Sequence, residues 1–480
     1  MSFSNRYLIT LLSSIIRAGL NFYVSIQVAK YLLPEFYGTY QYILSVSTAV
    51  LLFVNLNTEN AFFTFISKRR QHFKFYLTYF GWQAFQIILV FLILTILDSR
   101  VYDLVFKNID VSLVFLAMGA LFFVSNIQST CNHLIESIRK THFSQILSVT
   151  VALIHAFIVS TIIYFESLTI QILFQVLLFE YFLYSLVVVI LLKKHSSEFL
   201  SNEIFSLRDT LTKFYIYCRP LFILALVGFL HSFVDRWLIQ NYVGAKGQSY
   251  FSISMQFSAL TMLVTSSILR VFWKEIAESI ERKDIKKVRK YFVVVSEHLF
   301  VINCVISSVL FVYSDHLLRY FYTDIYAGAA TVFKLMMLYP ILQSMGQLYS
   351  VFFLATEQTR LFKSISIGVS ILSIATAILF LADFGLGFGV EGIAIKLLLM
   401  NVMSSLILEF YIGKYIQSPI NYFFKLKSLV MTFCAAFLIF RLQMYLEFLF
   451  VHQILVVGFF YVLPIGLFLL NSLQKKISRE

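Results

Sequence analysis

The sequence predicts an all-α protein that crosses a membrane about fourteen times, and three observations support this fold class. Apolar runs of about twenty residues recur along the whole chain. A helix rises about 1.5 Å per residue and the hydrocarbon core of a bilayer is about 30 Å thick, so each run can span it. Charged residues make up only 13% of the chain, where soluble domains carry about 25%. Backbone groups in hydrocarbon must bond within their own segment, which makes these runs helices.

The predicted spans follow the chain in order, with boundaries set by the ends of the apolar runs. The second span is the weakest, because Asn55, Asn57 and Glu59 interrupt its run, and the last two are also weak. The fourteen spans lie near Leu8–Tyr31, Thr39–Asn60, Tyr76–Leu97, Val111–Cys131, Phe143–Phe165, Ile170–Leu192, Ile216–Gln240, Ser249–Phe272, Tyr291–Tyr313, Ala329–Ala355, Ser364–Asp383, Val390–Ile412, Ser428–Phe448 and His452–Leu470.

Positive charge sets the orientation of these spans. About 27 of the 38 Lys and Arg residues fall on alternate links and the two tails, most densely between Lys274 and Lys290. Loops rich in Lys and Arg stay in the cytosol, so both termini are predicted to be cytosolic. The same bias explains the net charge of +13 without a nucleic-acid surface.

Two short motifs indicate an internal duplication. The turn from Tyr31 to Tyr40 after span one matches the turn from Asn241 to Tyr250 after span seven, because each ends in a tyrosine that opens the next span. The pattern Glu-x-x-Arg occurs at Glu136 after span four and at Glu357 after span ten. Transporters are commonly built from such repeats. We therefore expect two halves of six spans with the same orientation, followed by two additional helices.

Motifs along the whole chain also resemble a known family. Span one carries Arg17, and the turn that follows reads Leu32-Leu33-Pro34-Glu35-Phe36-Tyr37-Gly38-Thr39-Tyr40, with Leu33 in place of the usual glycine. Asp235-Arg236 stands near the end of span seven, and Gly389-Val390-Glu391-Gly392-Ile393-Ala394 precedes span twelve. In these motifs the chain is similar to oligosaccharide flippases of polysaccharide biosynthesis, in the multidrug/oligosaccharidyl-lipid/polysaccharide exporter (MOP) superfamily.

The resemblance implies an architecture of two six-helix lobes around a central cavity. The lobes are expected at residues 1–192 and 216–412. A cytosolic amphipathic linker at 193–215 would join them, and residues 413–480 would form the two additional helices and a basic cytosolic tail.

The resemblance also implies a function. Such a protein moves undecaprenyl-diphosphate-linked oligosaccharide from the cytosolic to the outer leaflet of the bacterial cytoplasmic membrane, by alternating access. The product serves the assembly of surface polysaccharide, namely O-antigen, capsule or exopolysaccharide. Its partners would be the lipid-linked oligosaccharide, membrane lipids, and the polysaccharide polymerase and chain-length machinery. A transporter of this kind is not an enzyme, and we expect no cofactor or metal.

Candidate site residues are the ionisable groups inside the spans, since burying an unpaired diphosphate in hydrocarbon is very costly. Arg17 and, one turn on, Asn21 form a polar stripe in span one. Arg236, Lys334 and Lys396 are further candidates for substrate binding, and Asp235 for ion coupling. Each also has an ordinary structural interpretation, as an internal ion pair or a side chain that reaches toward the membrane surface.

Two other functions remain open from sequence. A cation-coupled drug antiporter of the same superfamily would favour an acidic cavity, which the central Arg17 argues against. A membrane-embedded sugar polymerase or ligase would need a sizeable outer loop, but the longest outer links, Asp98–Asp110 and Ser314–Gly328, are about fifteen residues each.

Overall fold

The computed structural model describes residues 3–68, 70–107, 109–194, 200–201, 205–382, 385–419 and 421–445, together with Val457 and Tyr461. Helices joined by short turns make up almost all of these residues, and no strand occurs among them. The predicted all-α class is confirmed. The predicted last span, His452–Leu470, lies outside the described residues except for Val457 and Tyr461.

The helices fall into two compact units, Met1–Ser249 and Tyr250–Glu480. The first unit contains α1 Phe3–Asn55, α2 Thr58–Lys68, α3 Phe73–Ile96, α4 Ser99–Phe106, α5 Val111–Phe122, a π-helical turn Phe123–Ile127, α6 Gln128–Ser137, α7 Thr141–Tyr164, α8 Ile170–Lys194, α9 Leu207–Cys218, a 3₁₀ turn Arg219–Leu221, α10 Phe222–Tyr242 and the start of α11 Ala245–Glu281. Within this unit α1 packs on α5, α7 and α10. The lobe boundaries expected from sequence stay a prediction.

The second unit begins inside α11 and contains the remaining helices. These are α12 Ile285–Val312, α13 Ser314–Tyr322, a 3₁₀ turn Asp324–Ala329, α14 Ala330–Met336, α15 Tyr339–Ala355, α16 Thr359–Leu381, α17 Gly389–Tyr415 and α18 Tyr422–Tyr445. Its core joins α12, α15 and α17 through buried aromatic side chains such as Phe292, Tyr349 and Phe352.

Among the described residues, nine helices are long and apolar enough to cross a membrane, or eleven if each of two bent helix pairs is one span. The helix α1 counts once in this set, although it contains the first predicted span and residues 39–55 of the second, which continues into α2. The predicted eighth span lies within α11. The polytopic membrane architecture is therefore confirmed, while the total of fourteen stays a prediction.

A kink divides α1 between its two predicted spans. Leu33 has φ 63° and ψ 165°, and Pro34 follows it. Proline cannot donate a backbone hydrogen bond, and it excludes the helical conformation at the residue before it. This combination of angles is adopted almost only by glycine. The kink explains why a turn of this kind normally carries glycine where this chain has Leu33.

Backbone geometry recurs between the two halves of the chain. Four residues with positive φ in the first half each have a counterpart with positive φ at the matching turn of the second half. The separation grows from 211 positions in the first pair to 221 in the last. The pairs are Leu33 with Gly244, Lys107 with Thr323, Arg139 with Glu357, and Glu166 with Gly387. The two sequence motifs show nearly the same separations, so the backbone supports the predicted duplication.

Short amphipathic helices at matching positions add to this evidence. The helix α4 follows the third predicted span and buries Tyr102 and Phe106, and α13 follows the ninth and buries Leu317 and Tyr322. Each ends at a residue with positive φ. Both halves thus place the same element on the link after their third span.

The strained Leu33 gives a test of this fold. Leu33→Gly is expected to raise the free energy of unfolding by about 1–2 kcal/mol, because strain of this kind costs about 1–3 kcal/mol and the glycine entropy offsets part of it. Leu52→Gly is the control, because Leu52 is an exposed leucine of the same helix with ordinary helical geometry. It should lower stability by about 1 kcal/mol. Heating followed by size-exclusion chromatography in detergent measures both, and equal destabilisation by the two variants would contradict the prediction.

Candidate functional site

Arg17 lies near the middle of the first predicted span and is half-buried in α1. Its Nη2 donates one long hydrogen bond, 3.5 Å, to Ser14 Oγ. Its Nε is buried and has no acceptor among the described residues. The guanidinium also interacts electrostatically with Tyr181 and Tyr184 of α8. Arg17 therefore has donor capacity that the described residues of its unit do not use, and Asn21, one turn on, is exposed.

Asp235 and Arg236 lie on α10, close to the turn that leads into α11. Asp235 is buried. Arg236 Nη1 donates to Gln248 Oε1 at 3.3 Å, and Gln248 Nε2 donates back to the carbonyl oxygen of Arg236. Arg236 also interacts electrostatically with Asp235 and Tyr37. Arg236 thus holds a turn in place, in addition to any part it has in binding.

The two copies of the turn motif, residues 31–40 and 241–250, meet at this place. A Cβ added to Gly38 would lie 1.7 Å from the carbonyl oxygen of Ala245, so only glycine allows this approach. The neighbouring Tyr37 hydroxyl bonds to Ser25 at 2.8 Å and to Gln41 at 2.9 Å. The turn after span one therefore packs directly on the turn after span seven.

The end of α4 and the link that follows it fix the end of α10 in the same unit. Lys107 Nζ donates to the carbonyl oxygens of Gln240 and Asn241 at 3.0 and 2.7 Å. Trp237 Nε1 donates to the carbonyl oxygen of Leu104 at 2.8 Å. A cation at a helix C-terminus opposes the negative end of the helix dipole. Partial burial lowers the pKa of Lys107.

The other two predicted cations lie in the second unit. Lys396 of α17 is completely buried. Lys334 of α14 is half-buried, with its ammonium 5.2 Å from the centroid of the Phe311 ring. Lys396 therefore points into its own unit and not toward acyl chains, and Lys334 is held by an aromatic face.

Three acids within the spans have basic partners. Glu59 accepts from His133 Nε2 at 3.0 Å, and Glu180 bonds to His155 Nδ1 at 2.8 Å. Glu409 accepts from Lys425 Nζ and from the Tyr349 hydroxyl. The sequence pointed to Glu59 through the interrupted apolar run of the second span, but not to its pairing. His133 was not named, since residues 74 positions apart are brought together only by packing.

The second predicted span contains a break in its helix just before Glu59. The chain leaves α1 at Asn55 and enters α2 at Thr58, and the intervening Leu56 and Asn57 have φ of 52° and 60°. Asn55 Oδ1 accepts from the backbone N–H of Glu59 at 3.2 Å. The interrupted apolar run was the sequence signal for this feature.

Neighbouring helices satisfy the polar groups that the break exposes. Gln86 Nε2 donates to the carbonyl oxygen of Val54 at 2.7 Å, and Trp82 Nε1 donates to Thr58 Oγ1 at 3.2 Å. The span that faces the break carries the π-helical turn Phe123–Ile127. Ser129, two residues after this turn, donates a hydrogen bond to Glu59. Broken helices in a membrane are tolerated where such partners exist, and π-turns often mark functional sites.

Comparison with known proteins gives a fold and no family. No family model matches the chain, and no curated protein matches it. A solved structure of the lipid II flippase MurJ, in an inward closed conformation, is similar with a TM-score of 0.70 and 14% identity, and covers 98% of this chain and 99% of that one.

Two other solved structures are similar over most of their length. An inward-facing multidrug resistance MATE family transporter of the MOP superfamily has a TM-score of 0.65 and 14% identity, and covers 85% of this chain and 98% of that one. A MOP superfamily transporter from Pyrococcus furiosus has a TM-score of 0.54 and 12% identity, covering 86% and 96%. The chain therefore has the fold of the MOP superfamily transporters.

Proposed function

We propose that this protein is a flippase that moves undecaprenyl-diphosphate-linked oligosaccharide from the cytosolic to the outer leaflet, by alternating access, for surface polysaccharide assembly. The shared fold with a lipid II flippase supports a lipid-linked substrate. The motifs that resemble oligosaccharide flippases support an oligosaccharide head group. The lipid tail is already soluble in the bilayer, so the protein has to accommodate the diphosphate and the sugars.

The observation that carries the proposal is the unequal partnering of charges within the spans. Glu59, Glu180 and Glu409 each bond to a basic side chain of their own unit. Arg17 has no acidic hydrogen-bond partner among the described residues, and its Nε bonds to nothing there. A guanidinium keeps its charge and can bind two phosphate oxygens at once. The open site in the first unit is thus cationic and fits an anionic cargo.

The remaining candidates extend this role. Asn21 lies beyond Arg17 on α1 and would donate to a phosphate or sugar oxygen. Arg236, Lys334 and Lys396 would contact the diphosphate in other states of the transport cycle, in which their present contacts are exchanged. Asp235, buried beside Arg236, would bind the coupling ion.

A drug antiporter is the second candidate, because MATE transporters share the fold. Such a protein would need an acid that is open to an organic cation. The pairing of Glu59, Glu180 and Glu409 with bases argues against that need being met. The flippase is therefore the function that we favour.

Arg17 provides the first test. Arg17→Ala should lower the rate of translocation about 10- to 100-fold, because a hydrogen bond to a charged group contributes about 1.5–3 kcal/mol. Arg17→Lys should restore part of the rate, since lysine keeps the charge and loses the paired contact. The measurement is the accessibility of lipid-linked oligosaccharide in the outer leaflet of proteoliposomes, with surface polysaccharide in cells as a second readout.

Arg100→Ala is the matched control, because Arg100 is an exposed arginine of the same unit on an outer link. It should leave the rate unchanged. Membrane insertion and elution from a size-exclusion column are compared for all three variants. A normal rate in a well-folded Arg17→Ala variant would remove Arg17 from the site.

Asp235 provides the second test. Asp235→Asn removes a negative charge at nearly constant volume, so transport should become slow and insensitive to collapse of an imposed proton or sodium gradient. Wild-type transport should fall when the gradient is collapsed. Translocation in proteoliposomes with and without an ionophore measures this dependence.

Glu59→Gln is the comparison for Asp235→Asn, since it removes the same charge from another acid within a span of the same unit, one that bonds to His133. It should retain dependence on the gradient. Loss of dependence in Glu59→Gln and its retention in Asp235→Asn would move ion coupling to the break in the second span and overturn the assignment of Asp235.

A further inference from the structure

A basic cavity of about 600 Å³ lies in the second unit, where the start of α12 meets the link between α17 and α18. Lys286, Arg289 and Lys290 of α12 line it, and Lys425 of α18 lies on its other side. These three residues of α12 are spaced i, i+3 and i+4. They therefore lie on one face of the helix, and their side chains converge on the same opening. None of the residues proposed above for substrate binding or ion coupling lines this cavity.

Charge inside the cavity is positive. Lys425 is neutralised by Glu409, to which its ammonium bonds. Glu297 is the acid among the lining residues, and it lies two turns further along α12 than Lys290. The three cations of α12 therefore outnumber the acid. A ligand that carries negative charge is favoured at this place.

The N-terminal end of a helix adds to the positive charge of the cavity. The helix α12 begins at Ile285, and α18 begins at Tyr422. Asn421 Oδ1 accepts from the backbone N–H of Phe424 at 2.9 Å, and both residues line the cavity. The N-terminal end of a helix carries partial positive charge, which favours an anion. The end of α18 thus adds to the three cations, whereas the end of α12 is already capped by Asp284, whose Oδ1 accepts from the backbone N–H of Lys287.

The walls of the cavity indicate the source of the anion. Phe292, Val293 and Phe424 give it an apolar side. Since α12 is long and apolar enough to cross the bilayer, its first turns lie at the membrane surface. The sequence predicts that this end is cytosolic, where anionic lipids attract basic segments. A soluble phosphate would gain nothing from an apolar wall, whereas a lipid would place its glycerol and upper acyl carbons there.

We infer that this cavity binds the phosphate headgroup of an anionic phospholipid. The phosphate lies among Lys286, Arg289 and Lys290, and the start of the acyl chains follows Phe292 and Phe424. The bound lipid links α12 to α18 and so stabilises the second unit. This inference is independent of the cargo of the transporter.

The experiment compares two variants that remove the same charge from the same stretch of chain. The cavity variant is Lys286→Gln/Arg289→Gln/Lys290→Gln. The control is Arg282→Gln/Lys283→Gln/Lys287→Gln, whose three residues do not line the cavity. Each full-length protein in neutral detergent is heated with phosphatidylglycerol, with phosphatidylcholine or with inorganic diphosphate, and its melting temperature is measured. Native mass spectrometry counts the lipid molecules that remain bound.

Phosphatidylglycerol should raise the melting temperature of the wild type and of the control by about 2 °C or more, because a ligand that binds only the folded state stabilises it. The cavity variant should lose that rise and retain at least one fewer lipid. An equal response of the two triple variants would show general charge attraction and overturn the site. An equal rise with diphosphate would identify a soluble anion and overturn the lipid. If the cavity variant does not fold, Arg289→Gln alone is held to the same criteria.

Discussion

Hydrocarbon offers no partner to a polar group, and this constraint organises the charged residues of the protein. In both units an acid within a span bonds to a base on another helix, as Glu180 does to His155 and Glu409 does to Lys425. Such pairs tie helices together and neutralise the acids that take part in them. Arg17 stands out because no described residue accepts from its buried Nε. The same constraint that stabilises the fold therefore points to the part of it that is available for an anion.

The constraint acts on the backbone as well. Where Leu56 and Asn57 interrupt the second span, the amide of Gln86 bonds to the freed carbonyl of Val54. On the facing helices Gln83 Nε2 donates to Thr130 Oγ1 at 2.7 Å. These glutamines lie on the buried side of a helix that is otherwise apolar. The break explains the presence of Gln86 in a predicted span, and the bond to Thr130 explains that of Gln83.

Much of the fold could be predicted from sequence, because span length and apolar runs are local properties. The turn at Leu33 could also be predicted, because a proline disfavours helix at the residue before it. The glycine at position 38 permits a close approach to Ala245, which only the folded unit reveals. The acid–base pairs within the spans could not be predicted from local sequence patterns. Glu59 meets His133 through packing of α2 on α6, and no local pattern specifies that contact. The predicted cations were found as residues, but whether each has a partner is a property of the folded unit.

The two halves of the chain have matching turns, but the polar and charged groups within their spans differ. Four pairs of positive-φ residues and the helices α4 and α13 repeat at nearly constant separation. The break in the second span does not repeat, because α11 runs as one helix through the equivalent positions of the eighth. A duplicated chain is free to keep its turns, which set the path of the backbone, and to change its interior. The polar break and the open Arg17 belong to the first unit, and the buried Lys396 and the basic cavity belong to the second. The two halves thus share a scaffold and differ in the charge chemistry of their interiors, and under the proposed function this difference would let them treat an asymmetric cargo differently.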